Sequence, residues 1–381
     1  MGQITFALVG DVMINRTDAP SIFSHVAPIL KSADFTYCNL EAPMCDGVEK
    51  HAGKSRVSMH LRSAPNAVEA LTAAGINVVS LANNHALDYG AAGLQQSIEL
   101  LDNANIAHAG AGRNRAEARR AVMLNKNGVR IALLSYTSVC VPAFVATEKE
   151  PGVAMVRIIT TYSPNLRLLQ QPASPLYTKS SGEPEDVAAL LDDVRSAKAE
   201  ADIVLVAWHW GLSERWGKLA DYQRTLGHAV IDAGANAIIG NHAHMLLGIE
   251  FYRGCPIFYA LGNFGFDMRH PYFRQESAIV QFELSHRGID QIRLIPILNN
   301  DGHEPVPLRA DGGSGQKVTW MLEYLSEGLN TKFANCGAYV ELSAESSEDS
   351  LKLGANNAEG LSRLGYSDAQ ITELKAGGVI P

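Results

Sequence analysis

The stretch 236-NAIIGNHAHMLLG-248 decides how the rest of the chain is read. An apolar, strand-like run ends in Gly240-Asn241. Two histidines follow with one residue between them, His242 and His244. A lone histidine beside a core is usually a hydrogen-bonded structural residue. Two imidazoles on the loop after a buried strand can point at one ion or one substrate atom, provided other strand ends supply partners.

Working outward, strand candidates run over 3–10, 34–40, 76–82, 129–137, 202–209, 236–240, 256–262, 277–284 and 291–298. Several are continuously apolar, as strands covered on both faces are. Amphipathic helix candidates at 65–75, 90–104, 184–201 and 220–234 alternate with them, the first bounded by Pro65 and Gly75. Alternation of this kind indicates α/β layers. The strands at 277–298 follow one another without a helix, so a β-hairpin joins an otherwise βα-wound sheet. Residues 138–182, with Pro142, Pro151, Pro164, Pro172 and Pro175, are expected to be an irregular excursion or a lid. The main domain is expected to span 1–298. Residues 299–381 are set apart as a C-terminal extension, helical at 316–329.

Polar residues collect after the strands: 10-GDVM-13, 39-NLEAP-43, 82-ANNHALDYG-90, 209-HWGLSE-214, 240-GNHAH-244 and 262-GNFGFD-267. Singly, each has a structural explanation. Asp11 could cap a turn and Glu41 could be an exposed loop acid. Asn84 could serve a turn, His85 and Asp88 could form a local pair, and His209 could be a satisfied core histidine between Trp208 and Trp210. The remaining histidines, His25, His51, His60, His108, His228, His270, His286 and His303, keep a structural or surface reading. Open α/β sheets bind ligands at the carboxyl ends of their strands. Successive ends carrying Asp, Glu, Asn or His, and no Cys, describe a polar pocket suited to a divalent metal.

Composition narrows the alternatives. A net charge of −8 argues against nucleic acid or an anionic membrane as the main partner. The longest apolar runs, such as 201–210, are strand-sized and too short to cross a bilayer. The N-terminus lacks the basic region and cleavage site of a signal peptide. Cys38, Cys45, Cys140, Cys255 and Cys336 are scattered, without CxxC spacing, and read as reduced thiols. A cytoplasmic protein without a membrane anchor is expected.

In their order, GDVM, NLEAP, ANNHALDYG, HWG…E, GNHAH and YALGNF resemble the motifs of the CapA-like proteins. That family is named for poly-γ-glutamate capsule biosynthesis and lies within the calcineurin-like metallophosphoesterase superfamily. The resemblance covers about residues 3–285. It implies a four-layer α/β/β/α sandwich with one or two divalent ions at the strand ends. It implies Asp11, Glu41, Asn84, His209, His242 and His244 as ligands, with Glu41 where many members carry a bridging Asp. It also implies His85 as the acid that protonates the leaving group, with Asp88 fixing its tautomer. One position departs: Met13 stands where the superfamily's first motif, Asp-x-His, has its His, and the CapA-like branch generally lacks that imidazole. A single metal, or one tight and one labile metal, is therefore expected.

Such a donor set suits Mn, Fe or Zn, or Ca or Mg if carboxylates and water dominate. It serves hydrolysis of a phosphoester or of a peptide or γ-glutamyl amide, which ranks first. His242, or another of the histidines, together with Asp11 could equally exchange a proton at a peptide α-carbon, as in the lasso-peptide epimerases that resemble this branch. An accessory role in poly-γ-glutamate synthesis ranks third. Trp210, Glu214, Asn263 and Arg269 are the candidate substrate contacts, with Arg215, Lys218 and Arg274 nearby for substrate carboxylates.

Overall fold

Period-two alternation in the strands sets the layers. The computed structural model describes residues 3–55, 57–213, 215–345 and positions 367, 369 and 372. In chain order the first strands are β1 (Ile4–Met13), β2 (Phe35–Leu40), β3 (Val78–Ser80), β4 (Ala107–Ala109), β5 (Ala111–Gly112), β6 (Val122–Lys126) and β7 (Val129–Thr137). Next come β8 (Gly152–Val153), β9 (Ile158–Ser163), β10 (Tyr177–Gly182), β11 (Ile203–His209), β12 (Ala237–Asn241), β13 (Ile249–Tyr252) and β14 (Cys255–Phe258). The last are β15 (Asn263–Phe266), β16 (Glu276–Ser285), β17 (Gly288–Asn299), β18 (Pro305–Pro307), β19 (Thr331–Asn335) and β20 (Val340–Ala344). The helices are α1 (Ala27–Lys31), α2 (Ala67–Ala74), α3 (Gly90–Asn103), α4 (Arg115–Arg119), α5 (Pro184–Glu200), α6 (Asp221–Asp232) and α7 (Gly313–Leu325).

Two sheets form the centre. One has the order β19-β20-β17-β16-β1-β2-β3-β4, with β15 beside β1 and β18 beside β17. The other has the order β13-β14-β12-β11-β7-β6. Ile4, Phe6 and Leu8 of β1 meet Ile131 and Leu133 of β7 and Ile203, Leu205 and Ala207 of β11 in one buried layer between the sheets. The opposite parity faces outward. Val9, Cys38 and Val79 pack against Leu30, Leu71 and Leu94 of α1, α2 and α3. Val204, Val206 and Trp208 pack against Leu190, Val194 and Val230 of α5 and α6. The layer order is thus α/β/β/α. Each buried aliphatic or aromatic side chain contributes about 1.5–3 kcal/mol, so the middle layer, apolar from both sides, is the main source of cohesion.

Local signals place the helices. α2 stops where Gly75 adopts the left-handed conformation (φ 80°). α5 opens on Pro184 with Glu185 and Asp186 in its first turn and Lys198 near its end, complementing the helix dipole.

Two expectations change. Residues 299–345 do not stand apart: β19 and β20 continue the first sheet, and Val318, Leu322, Val340 and Leu342 join the middle layer. The excursion 138–182 is partly regular. β8 pairs with β5, and β9 with β10 forms a separate two-stranded ribbon. The ribbon's base sits on α6, where the Ser180 and Tyr222 N–H groups donate to Asp221 Oδ2 and Ser180 Oγ. Among the described residues, no hydrogen bond or ion pair joins it to the strand-end donors. No described helix is long and apolar enough to cross a membrane.

Candidate metal centre

The parity that builds the middle layer also aims the donors. In β11 the inward residues are Ile203, Leu205 and Ala207, so the next inward position is His209. In β2, Tyr37 points inward, followed by Asn39 and then Glu41. In β1, inward Leu8 would predict an outward Asp11. A register shift between Leu8 and Asp11 reverses the phase and turns Asp11 inward. The apolar layer is thereby capped at its strand ends by oxygen and nitrogen donors.

Two glycines permit the convergence. A Cβ on Gly10 would lie 1.9 Å from the Gly262 carbonyl oxygen, and one on Gly240 would lie 2.1 Å from that of Tyr259. Each glycine lets a neighbouring segment cross against the strand just before a donor. Beyond Gly240, His242 and His244 both have left-handed backbones, with φ of 93° and 56°. Such conformations cost about 1–3 kcal/mol each and concentrate at functional sites.

The donors form two groups that share one carboxylate. Glu41, His209 and His242 make the first; Asp11, Glu41 and His244 make the second; within each, the ligand-type atoms lie within 4.8 Å of one another. His209 Nε2 is 2.7 Å from Asn84 Oδ1, 3.1 Å from His242 Nδ1 and 3.5 Å from Glu41 Oε1. His244 Nε2 is 3.5 Å from Glu41 Oε1, while its Nδ1 is 2.9 Å from Asn263 Oδ1. Asn39 Nδ2 donates to Asp11 Oδ1 at 2.7 Å and lies 3.2 Å from His209 Nδ1. The His242 N–H donates to Asp11 Oδ2 at 3.2 Å. The six proposed ligands therefore come together.

Electrostatically this cluster is unbalanced. Both oxygens of Glu41 are buried without a hydrogen-bond partner. Burial, reinforced by Asp11 and Asp88, pushes its carboxyl well above the usual range. Burial likewise raises Asp11 to about 7 against the hydrogen bond from Asn39. His242 falls to about 4 and His244 to about 3, burial being the main cause and neighbouring imidazoles adding to it. His209 is lowered for the same reasons. A buried carboxylate without donors, such as Glu41, set among neutral imidazoles is costly unless a cation sits among them. The donor set thus fits one or two divalent ions, with Glu41 placed to serve both.

A second cluster adjoins it. His85 Nδ1 is 2.5 Å from Asp88 Oδ2, which also accepts from the Leu61 N–H at 2.6 Å. Burial lowers the His85 pKa, opposed by Asp88. The residue missed from sequence is Lys54, which is buried, ion-paired with Asp88, and within 3.2 Å of His85 Nδ1. It comes from the irregular loop after β2, where no periodicity marks it. Asn39, inside NLEAP, was visible but read as part of a motif.

The substrate contacts fare differently. Trp210 is a correction. It is fully buried on the helix side, stacked between Trp208 and Tyr259, with Nε1 donating to the Tyr259 carbonyl. Its parity, opposite to that of His209, places it there. Glu214 lies outside the described residues. Asn263 holds His244 and also lines a cleft of about 220 Å³ with Phe266, Arg269, His270, Phe273 and Arg274. The Phe273 ring is 4.1 Å from that of His244. Arg269 donates to the Asp301 carbonyl at 2.7 Å. Arg215 and Lys218 are exposed.

The α/β/β/α layer order and the donor cluster at the strand ends are the arrangement that the sequence resemblance implies. More narrowly, the chain belongs to the bacterial capsule synthesis protein family PGA_cap, whose sequence model matches residues 5–268. It is 32% identical over 314 residues to the capsule biosynthesis protein CapA of Bacillus anthracis, covering 80% of this chain and 70% of that one. It is 33% identical over 319 residues to the PGA biosynthesis protein CapA of Bacillus subtilis, covering 81% and 74%. Among solved structures, the calcineurin-like phosphoesterase YfkN of Bacillus subtilis aligns at 12% identity and a TM-score of 0.34, over 85% of this chain and 99% of that one.

Proposed function

We propose that the protein is a metal-dependent hydrolase whose cleavage site lies between the Glu41 cluster and His85. The observation that carries this reading is the Glu41 carboxylate, with both oxygens buried and unpartnered amid His209, His242 and His244. Asp11, Glu41, Asn84, His209, His242 and His244 would hold one or two divalent ions, with Mn, Fe or Zn favoured by the imidazole content. When bound, such an ion lowers the pKa of a water and polarises a substrate oxygen.

The chain's own groups supply the rest. Asp88 holds His85 by Nδ1, leaving Nε2 as the ring nitrogen free to exchange a proton with a leaving oxygen or nitrogen. Lys54 neutralises Asp88 and keeps that carboxylate in place. Asn263 fixes the ring of His244 through Nδ1, so that Nε2 faces Glu41. The adjoining cleft, with Arg269 and Arg274 beside the rings of Phe266 and Phe273, would receive the part of the substrate beyond the scissile bond.

Aryl phosphates of graded leaving-group pKa, and γ-glutamyl anilides, assayed with added Mn²⁺, test the reading. His85→Asn should lower kcat by about 10²–10⁴-fold for poor leaving groups and far less for p-nitrophenolate. Equal losses across the series would remove His85 as proton donor. No metal-stimulated cleavage of either class would remove the hydrolase.

The relatives' names favour a second reading, a part in capsule polymer synthesis without catalysis of its own. A polymer-producing strain that tolerates Glu41→Gln would support it. Epimerisation has no observation in its favour beyond the shared donor set.

A further inference from the structure

The ribbon of β9 and β10 stands outside both main sheets and is unlike the rest of the surface. Tyr162 is 67% exposed, Leu166 79%, Leu169 89%, Leu176 51% and Tyr177 57%. Monomer surfaces scatter such side chains singly; clusters of this kind mark interaction sites. The apolar groups are not on one face. Tyr162 pairs with Thr178 and Tyr177 with Ser163, so the two tyrosines occupy opposite faces, and Leu166 and Leu169 lie in the connection at the tip. A protein partner covers one face of a ribbon. An end that is apolar on both faces and at its tip suits insertion into a medium that surrounds it.

The charge pattern points the same way. The chain carries a net −8, yet no Asp or Glu occurs from Arg157 to Gly182. Arg157 is tied to Asp186. Arg167 and Lys179 have no acidic partner among the described residues. The ribbon leads to the start of α6, where Asp221 accepts from Ser180. Leucines at the tip, tyrosines behind them, and cations without an acidic partner among the described residues make up an interfacial lipid-binding pattern. α6 follows β11, whose carboxyl end carries His209, so this surface belongs to the same side of the sheet as the donor cluster.

We propose that the β9–β10 ribbon is a contact surface for an anionic lipid bilayer. The overall negative charge does not oppose this. At physiological ionic strength charges beyond about 8 Å are screened, and the local cations decide. Binding is weak and reversible, since one apolar tip and a few cations form a single signal.

The test is co-sedimentation of the full chain with vesicles of phosphatidylglycerol and phosphatidylcholine, and with phosphatidylcholine alone. The wild type should bind the anionic vesicles and be released by 0.5 M salt, as screening over about 4 Å or less requires. Leu166→Ser with Leu169→Ser should reduce binding about tenfold or more, and Arg167→Glu with Lys179→Glu should do likewise. These side chains are exposed, so an unchanged Tm is expected and serves as the folding control. No binding to anionic vesicles overturns the proposal. So does equal binding to phosphatidylcholine, or a leucine pair that binds like wild type. Concentration-dependent dimerisation abolished by the same pair also overturns it and assigns the ribbon to a second copy.

Discussion

The two donor groups that share Glu41 are built differently. The first offers the imidazoles of His209 and His242, and the amide oxygen of Asn84 stands 2.7 Å from His209 Nε2. The second offers one imidazole, His244, with the carboxylates of Asp11 and Glu41. Met13, two residues beyond Asp11 on the same strand face, brings no donor. It is buried with Ala42, Leu61 and Phe266 in a small apolar cluster. The first group is nitrogen-rich and borderline in softness; the second is oxygen-rich and harder. Under the proposed metal-dependent reading, the difference predicts a firmer position and a looser one side by side, with one carboxylate coupling them.

The largest effect is expected where the groups overlap. Glu41→Gln should empty both positions and abolish metal-stimulated activity. Metal in thousandfold excess over Kd should stabilise the wild type by about 4 kcal/mol and the variant by almost nothing. The metal-free variant should be no less stable than the metal-free wild type, because a buried carboxylate without partners has been removed. Elemental analysis and thermal melts with and without chelator read both outcomes. If Glu41→Gln keeps a full complement of metal, the two groups do not share that residue.

Next in size is the contrast between His209→Ala and His244→Ala. Each should remove one ion per chain. His209→Ala should cost more activity, because the ion it loses is the one nearer Asn84 and its neighbour His85. The affinity of the affected ion should fall by more than the roughly 10–100-fold that follows from disturbing a ligand's own hydrogen-bond partner. Metal titration by calorimetry decides between them. Identical losses of affinity and stoichiometry would erase the asymmetry.

Much of this was legible in the chain, for a physical reason. Strands covered on both faces are continuous apolar runs, and a polar residue at their ends is conspicuous against that background. Asp11, Glu41, Asn84, His209, His242 and His244 stood out in this way. Parity also holds information that composition hides. Counting from Ile203 places His209 inward and Trp210 outward, so the alternation itself separates the donor from the buried aromatic. Other features leave no local trace. The register shift that turns Asp11 inward depends on pairing with β2 and β15. Lys54 reaches Asp88 from an irregular loop. β19 and β20 are short and half-polar, and only the pairing of β20 with β17, and of β19 with β20, makes them strands. The left-handed backbones of His242 and His244 are imposed by tertiary context and oppose local preference.

The smallest effect is the most informative about how the looser position arose. Met13→His puts an imidazole on the strand face of Asp11, at a site 4% exposed beside Phe266, whose ring is 5.4 Å from that of His244. Without metal the new ring is a buried polar group without a partner and should cost about 1–3 kcal/mol of stability. With metal it becomes a further ligand, and the weaker affinity should rise about tenfold, worth about 1.4 kcal/mol. The stability gap between metal-free and metal-loaded protein should therefore widen in the variant relative to wild type. If the metal-free Tm drops and the weaker affinity does not move, Met13 is not what loosens that position. The cause would then lie in Asp11, whose carboxylate oxygens are already occupied by Asn39 and by the His242 N–H.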